Sequence, residues 1–472
     1  MPVVRRKRAL PRRLPTPGVI TAWPGSFPAS PWWRVLMAPA LWNGFPIVFP
    51  DTGGYLSRPI EGTLAMGRSA FYGLFLYTGI PFDFWPNAIA QSALMVWLIA
   101  LTLRTNGLGG RPWLALGIVT MLTVGTSLPW FAGQLMPDIF FSAAALALYL
   151  LVFRSRELAR WETVALAAVI AIAIPSHMAA AGMCVGIIVA LSLLARVKQL
   201  ALPKMRLWVA AAGVAAGIAL CPISNYAVAG KLTFTPGGSS FLFGRLIEDG
   251  IVARYLAEQC PDATLRLCAY KNVMPDNADD WLWGDNIFNR FGAWQAWEPE
   301  ENRIIKATLE RYPFSHAATA LADTLKQFFS FQTEVSKENN APTIATFADR
   351  TPQLYPRFIK ARQQADSFDM SPLNWLHVPV GALAVAGLGG ALLGRRRLDI
   401  APEAAALCVT ILLALAANAA ICGIFSHPVD RYQSRLVLLA PFGVALMLAQ
   451  RRRATHPAVS HDPLLGPAAD MA

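Results

Sequence analysis

Four short stretches hold the residues of this chain that could do chemistry. The first, FPDTGGYLSRP, carries Asp51 with Tyr55, Arg58, Glu61 and Arg68 behind it. A carboxylate set among arginines suits a general base or a ligand, its pKa fixed by burial against positive charge; the plainer alternative is a solvated loop with a glycine turn. The second, GQLMPD, ends at Asp138 ahead of a wholly apolar run. There an acid either joins a site or stabilises a helix start by about 1 kcal/mol through unpaired amides and the helix dipole. The third, PSHM, places His177 between two apolar runs, as a hydrogen-bonded turn residue or a site member. The fourth, FSHPVDRYQSRLVLLAP, brings His427, Asp430, Arg431, Tyr432 and Arg435 together. Arg431 and Arg435 are spaced to share a helical face and could grip a phosphate by forked hydrogen bonds, with Asp430 pairing one of them.

The elements that position these residues follow from composition. The chain has 472 residues, 55% hydrophobic and 15% charged, against a charged share of about a quarter in soluble domains, which excludes an ordinary cytosolic enzyme. The net charge of +12 would suit nucleic acid only if clustered on a polar face. Here the cations fall between apolar runs, so no nucleic-acid partner is predicted. Ile139 to Phe153 followed by Arg154, Arg156 and Arg160 reads as a membrane span meeting a basic cytoplasmic edge. The cysteines form neither CxxC nor a Cys/His cluster, so neither zinc nor thioredoxin-type redox chemistry is indicated.

The predicted fold is an all-α polytopic membrane protein of about ten transmembrane helices, with a mostly helical extracytoplasmic insertion between helices 7 and 8. The first span, Trp32 to Phe49, ends in a polar loop rather than a cleavage site and is therefore retained. The others are expected at about 85–103, 113–131, 136–153, 162–176, 178–195, 207–225, 375–394, 402–424 and 436–450. The organisation is a basic cytoplasmic tail (1–30), a transmembrane module with helices 1–7 (31–225), a periplasmic loop forming a lid or small domain (226–374), a module with helices 8–10 (375–450) and a disordered cytoplasmic tail (451–472). Arginines and lysines of the tail, of Arg104 and Arg111, of Arg154 to Arg160, of Arg196 to Arg206, of Arg395 to Arg397 and of Arg451 to Arg453 fall on one side. The short loops of the other side hold only Arg58, Arg68, Arg431 and Arg435, which places both termini in the cytoplasm and all four polar stretches outside.

Within the insertion, Phe241 to Cys260 and Glu300 to Phe331 show helical amphipathic spacing, expected on the membrane surface or over the bundle. Trp281, Trp283, Trp294 and Trp297 suit a membrane interface. Cys260 and Cys268 in an oxidising compartment predict a disulfide, the alternative being two separate buried thiols. No internal repeat is evident, which weakens a transporter built from inverted halves.

Taken together, an Asp directly after the first span, a Tyr four residues on, a downstream Arg and Pro, an acid in the second outer loop and a large outer loop between spans seven and eight resemble the GT-C superfamily. The resemblance implies an integral glycosyltransferase of the bacterial inner membrane that moves a sugar from a polyprenyl-phosphate donor to an envelope glycan, lipid or protein, with membrane lipid as the further partner. It implies Asp51 as base or metal ligand, Asp138 as a second catalytic acid or ligand, and Arg431 or Arg435 on the donor phosphate. Tyr55, Arg58, Arg68, His177 and His427 complete the expected binding set. Thr52 follows Asp51 and Asp138 has no acidic neighbour within two positions, unlike the paired-acid forms of the pattern, so a divalent cation is left open. The rival readings are a secondary transporter, which should show broken helices and charges at mid-membrane, and a non-catalytic component of an envelope polysaccharide assembly system.

Overall fold

The computed structural model describes residues 32–196, 202–335, 340–365 and 368–455. The two charged tails of the topology argument, and Lys198, lie outside the described residues, apart from the first residues after Arg451. Among the described residues the structure is helical, with a single isolated bridge, Ile47 to Gln134, and no strand.

The expected first span is not one helix. Its residues form α1 (Trp33–Leu36) and α2 (Ala38–Asn43), the latter closed by Gly44 at φ +80°. Pro46 follows and cannot continue a helix, so the chain runs extended and pairs Ile47 with the Gly133–Leu135 segment (Ile47 N to Gly133 O 3.0 Å, Leu135 N to Ile47 O 2.8 Å). Two short helices do not cross a bilayer of about 30 Å. Helix α3 (Pro50–Glu61) then starts on Pro50, with Asp51 in its first turn, and α4 (Phe71–Tyr77) packs against it.

The other nine apolar runs are helical, the run 113–131 being divided into two helices at Thr126. They begin with α5 (Trp85–Thr105), α6 (Pro112–Gly125), the short α7 (Leu128–Ala132), α8 (Ile139–Phe153), α9 (Arg160–Ser176), α10 (Ala179–Leu194) and α11 (Trp208–Ala229). Helix α8 is apolar on every side and every one of its residues is buried, as a helix without a polar face must be. It is the axis of the bundle, touched by α5, α9, α10 and α11. Among the described residues, five segments are long and apolar enough to cross a membrane: α5, α11, Ser371–Leu393, Pro402–Phe425 and Asp430–Arg451. The chain therefore has the make-up of a helical membrane protein.

The helices of residues 226–374 fall into two groups. Helices α12 (Ser239–Glu248), α13 (Ile251–Gln259), α14 (Ala278–Trp283), α15 (Ile287–Arg290) and α16 (Ala293–Arg311) enclose a core of their own around Phe243, Trp281, Phe288 and Trp297. Trp281 and Trp297 thus sit in a protein core and not at a membrane interface. Cys260 and Cys268 are bonded at the edge of this core. Glu301 is buried within it, accepting from Ser240 Oγ (2.5 Å) and Trp281 Nε1 (3.2 Å), and burial pushes its pKa up to about 7. The rest of the insertion, α17 (Pro313–Phe328), α18 (Ala341–Arg350) and α19 (Tyr355–Phe358), returns to the bundle, α17 along Pro402–Phe425 and α18 on α3.

The closing spans are α20 (Ser371–Leu393), joined through α21 (Arg395–Leu398) to α22 (Pro402–Phe425), and a last span divided into α23 (Asp430–Val437) and α24 (Leu439–Thr455). Pro441 has no amide to offer Val437, which accounts for the break. At one end of the bundle Arg104 meets Glu162 (2.6 Å), Arg154 meets Glu403 (3.6 Å) and Tyr149 meets Asn106 (3.0 Å). The polar stretches of the sequence gather at the other end, beneath the insertion.

Candidate functional site

Asp51 enters the site because α3 must begin after the extended pairing of Ile47. Phe49 N donates to Thr52 Oγ1 (3.0 Å) and Thr52 Oγ1 donates to Leu135 O (3.1 Å), so the first turn of α3 is tied to the segment that leads to Asp138. Gly53 permits the contact on the opposite side, since a Cβ there would lie 2.8 Å from Thr343 Oγ1 of α18. Fixed in this way, the Asp51 carboxylate faces two guanidinium groups. Arg68 binds Oδ1, and Arg431 reaches Oδ2 at 3.3 Å from both Nη1 and Nη2. Burial alone would raise the Asp51 pKa, but Arg68 and Arg431 outweigh it and hold the group below the usual carboxylate range.

The two arginines are themselves held by rings. Arg68 lies over Tyr55 (5.6 Å to the centroid) and Trp283 (5.5 Å), and Arg431 over Phe49 (4.1 Å) and Tyr432 (5.4 Å). Above them opens a cavity of about 700 Å³, with Asp51, Arg68 and Arg431 on its lining, Trp283, Phe241 and Tyr432 on its walls, and Asp279, Asp280, Glu334 and His427 around it.

Of the residues expected from sequence, Asp51, Arg58, Arg68, His427 and Arg431 line this cavity. Arg58 is at its rim, engaged by Glu61 (2.9 Å), which also takes Arg350 (3.1 Å). His427 faces Asp279 of α14 at 3.3 Å. Tyr55 is buried under Arg68, edge-on to Tyr72 at 5.2 Å, and does not line the cavity. His177 packs edge-on against Phe141 at 5.0 Å and does not line it either.

Asp138 and Arg435 form a second, separate unit below. Arg435 Nη1 donates to Asp138 Oδ1 (3.1 Å), Nη2 to Asn418 Oδ1 (3.0 Å), and the guanidinium stacks on Phe141 at 3.4 Å. Both partners are buried, and Asp138 Oδ2 has no hydrogen-bond partner. Neither Asp138 nor Arg435, both expected in the site, is brought to the lining of the cavity.

The residues do not assemble a cation site. Both Asp51 oxygens face arginines, one Asp138 oxygen does, and among the described residues no three His, Cys, Asp or Glu side chains gather as ligands.

Sequence reasoning passed over Trp283, Asp279 and Asp280 as site residues because they belong to the insertion; their run, ADDWLW, with acids beside an interfacial residue type, was the available signal. Glu334 and Thr343 carried none. Compared with protein-family models, curated proteins and solved structures, the chain matches nothing.

Proposed function

We propose that this chain is a GT-C-like glycosyltransferase that takes a sugar from a polyprenyl-phosphate donor at the outer face of the bacterial inner membrane and passes it to an envelope acceptor. The observation that carries the reading is the carboxylate held between two arginines at the base of a large cavity beside the membrane spans. In the resting site Asp51 stands where a phosphate would compete for Arg68 and Arg431. A donor phosphate drawn between the two guanidiniums supplies a better-matched anion, since forked contacts suit phosphate as well as carboxylate.

Its arrival loosens the hold on Asp51, raising the basicity of a carboxylate that now lies beside the sugar. Asp51 then takes the acceptor hydroxyl proton while the arginines stabilise the charge that builds on the leaving phosphate. Trp283 and Tyr432 offer ring faces to the sugar, and Asp279 and Asp280 offer acceptors for its hydroxyls. The test is transfer of labelled sugar from polyprenyl-phosphate-linked donors by the purified full chain in proteoliposomes, with Asp51→Asn as control. Loss of transfer in the variant supports the reading; consumption of no donor by the wild type gives way to a scaffold role.

One observation favours the transporter reading: the last span is broken at Leu438, next to the buried Asp138–Arg435 pair, as in carriers with discontinuous helices. Flux of a lipid-free solute through the same vesicles, without glycosyl transfer, would establish it.

A further inference from the structure

We infer that residues 313–335 form a re-entrant hairpin, a helix that descends into the bilayer along α22 and an irregular segment that climbs back, and that the outer face of α17 is covered by lipid acyl chains. The descent is fixed by three contacts. Near the top of α22, Gly423 lies against the α17 backbone, where a Cβ would meet Thr324 N at 2.7 Å. Gln327 exchanges two hydrogen bonds with Val429, donating from Nε2 to its carbonyl and accepting from its amide, both at 2.9 Å. The last turn of α17 is deeper, because Gln433 Nε2 donates both to Phe328 O (3.4 Å) and to Leu415 O (3.2 Å). Leu415 is ten residues before Phe425, the last of α22. At 1.5 Å per residue that is about 15 Å of helix, half of a hydrocarbon layer of about 30 Å.

The return leg satisfies what such a depth demands. Extended backbone away from water persists only where protein groups take its hydrogen bonds. Gln332 N donates to Asp430 Oδ1 (3.0 Å), Thr333 N to Asn374 Oδ1 (2.7 Å), and Thr333 O accepts from Asn374 Nδ2 (3.3 Å). Gln134 Nε2 donates to Val335 O, and the Thr333 hydroxyl meets His377 Nδ1 at 2.9 Å, inside α20. Phe331, Thr333 and Val335 are buried, so these residues of the segment face protein while Gln332 is exposed.

The helix faces the other way. Phe314 (88% exposed), Leu321 (61%), Leu325 (53%) and Phe329 (68%) fall at intervals of seven, four and four, one stripe of the helix surface. An apolar stripe of that size on a membrane-embedded segment is continuous with the lipid-facing side of the spans it packs on. Of the two positions expected from the sequence, on the membrane surface or over the bundle, α17 takes the bundle, running along α22. The hairpin also delivers Glu334 to the cavity wall, so bilayer and cavity are joined by one element.

The test is spin labelling of single cysteines at Phe314, Leu321, Leu325 and Phe329 in the full chain in proteoliposomes, with label uptake by the unsubstituted protein subtracted. Leu383 of α20 serves as the lipid standard and Arg290 of α15 as the water standard. Collision with oxygen should rise, and collision with a water-soluble nickel chelate fall, from 314 to 325, with Leu325 and Phe329 within about twofold of Leu383. Nickel access at Leu325 and Phe329 equal to that at Arg290 would place α17 in water and overturn the hairpin. Low access to both reagents would mean a protein partner instead of lipid and would overturn the lipid assignment.

Discussion

Arg431 and Arg435 lie one turn apart on α23, each on an aspartate, yet they belong to different environments. Arg431 shares Asp51 with Arg68 and opens onto the cavity; Arg435 and Asp138 are sealed among Phe141, Asn418 and Cys422. The difference comes from the helices that carry the two aspartates. Asp51 begins a helix that the insertion leaves open on one side, whereas Asp138 ends a buried turn at the head of a helix with no exposed residue. Identical residue types at helical spacing thus divide into a pair that can exchange its partner and a pair that cannot.

The largest expected effect breaks the sealed pair. Asp138→Asn leaves Arg435 as an uncompensated buried charge and should cost about 3–5 kcal/mol, whereas replacing both members (Asp138→Leu with Arg435→Met) should recover most of the loss. Thermal unfolding in detergent followed by tryptophan fluorescence measures both. Equal damage from the single and the double change would mean that the pair does more than neutralise itself.

Next comes Glu301 in the core of the insertion. Its folded pKa of about 7 stands above the usual 4.5, so the folded state holds the proton more tightly. Stability is then complete below about pH 4.5 and falls as pH rises through 7, by on the order of 3 kcal/mol. Melting of the 239–312 unit should drop between pH 5 and pH 8 in the wild type, and Glu301→Gln should flatten that dependence. The smallest effect is at the rim: Arg58→Ala removes exposed contacts to Glu61 and should change stability by less than about 1 kcal/mol. A larger loss in the same melt would give the rim a structural part that its exposure does not suggest.

Much of this was legible in the sequence, for stated reasons. Eight apolar runs lie within helices close to their expected bounds because length and hydropathy are local properties, while the run 113–131 is divided at Thr126. Asp51 and Arg431 were found because charge is costly beside apolar spans and stands out. The first run misled because its mean hydropathy hides Pro39, Gly44 and Pro46, which cut it into pieces. The different settings of Arg431 and Arg435 were not separable, since periodicity gives a shared face but no depth. Asp138 read as a possible site acid because nothing local shows that α8 is enclosed on all sides. The steep course of α17 was hidden for a similar reason: amphipathic spacing reports two faces, and Gln327 and Gln433, the residues that fix its depth, look like ordinary polar positions.

The central claim, that Arg431 grips a lipid phosphate for which Asp51 holds the place, is tested most directly by polyprenyl phosphate binding to the full chain in nanodiscs. Arg431→Ala should weaken binding about 10- to 100-fold, the worth of a charge-assisted hydrogen bond, and Arg431→Lys should restore it only in part. Asp51→Asn should bind as tightly as the wild type or more so, because the competing carboxylate is gone. Binding unchanged by Arg431→Ala, or weakened as much by Asp51→Asn, would contradict the account.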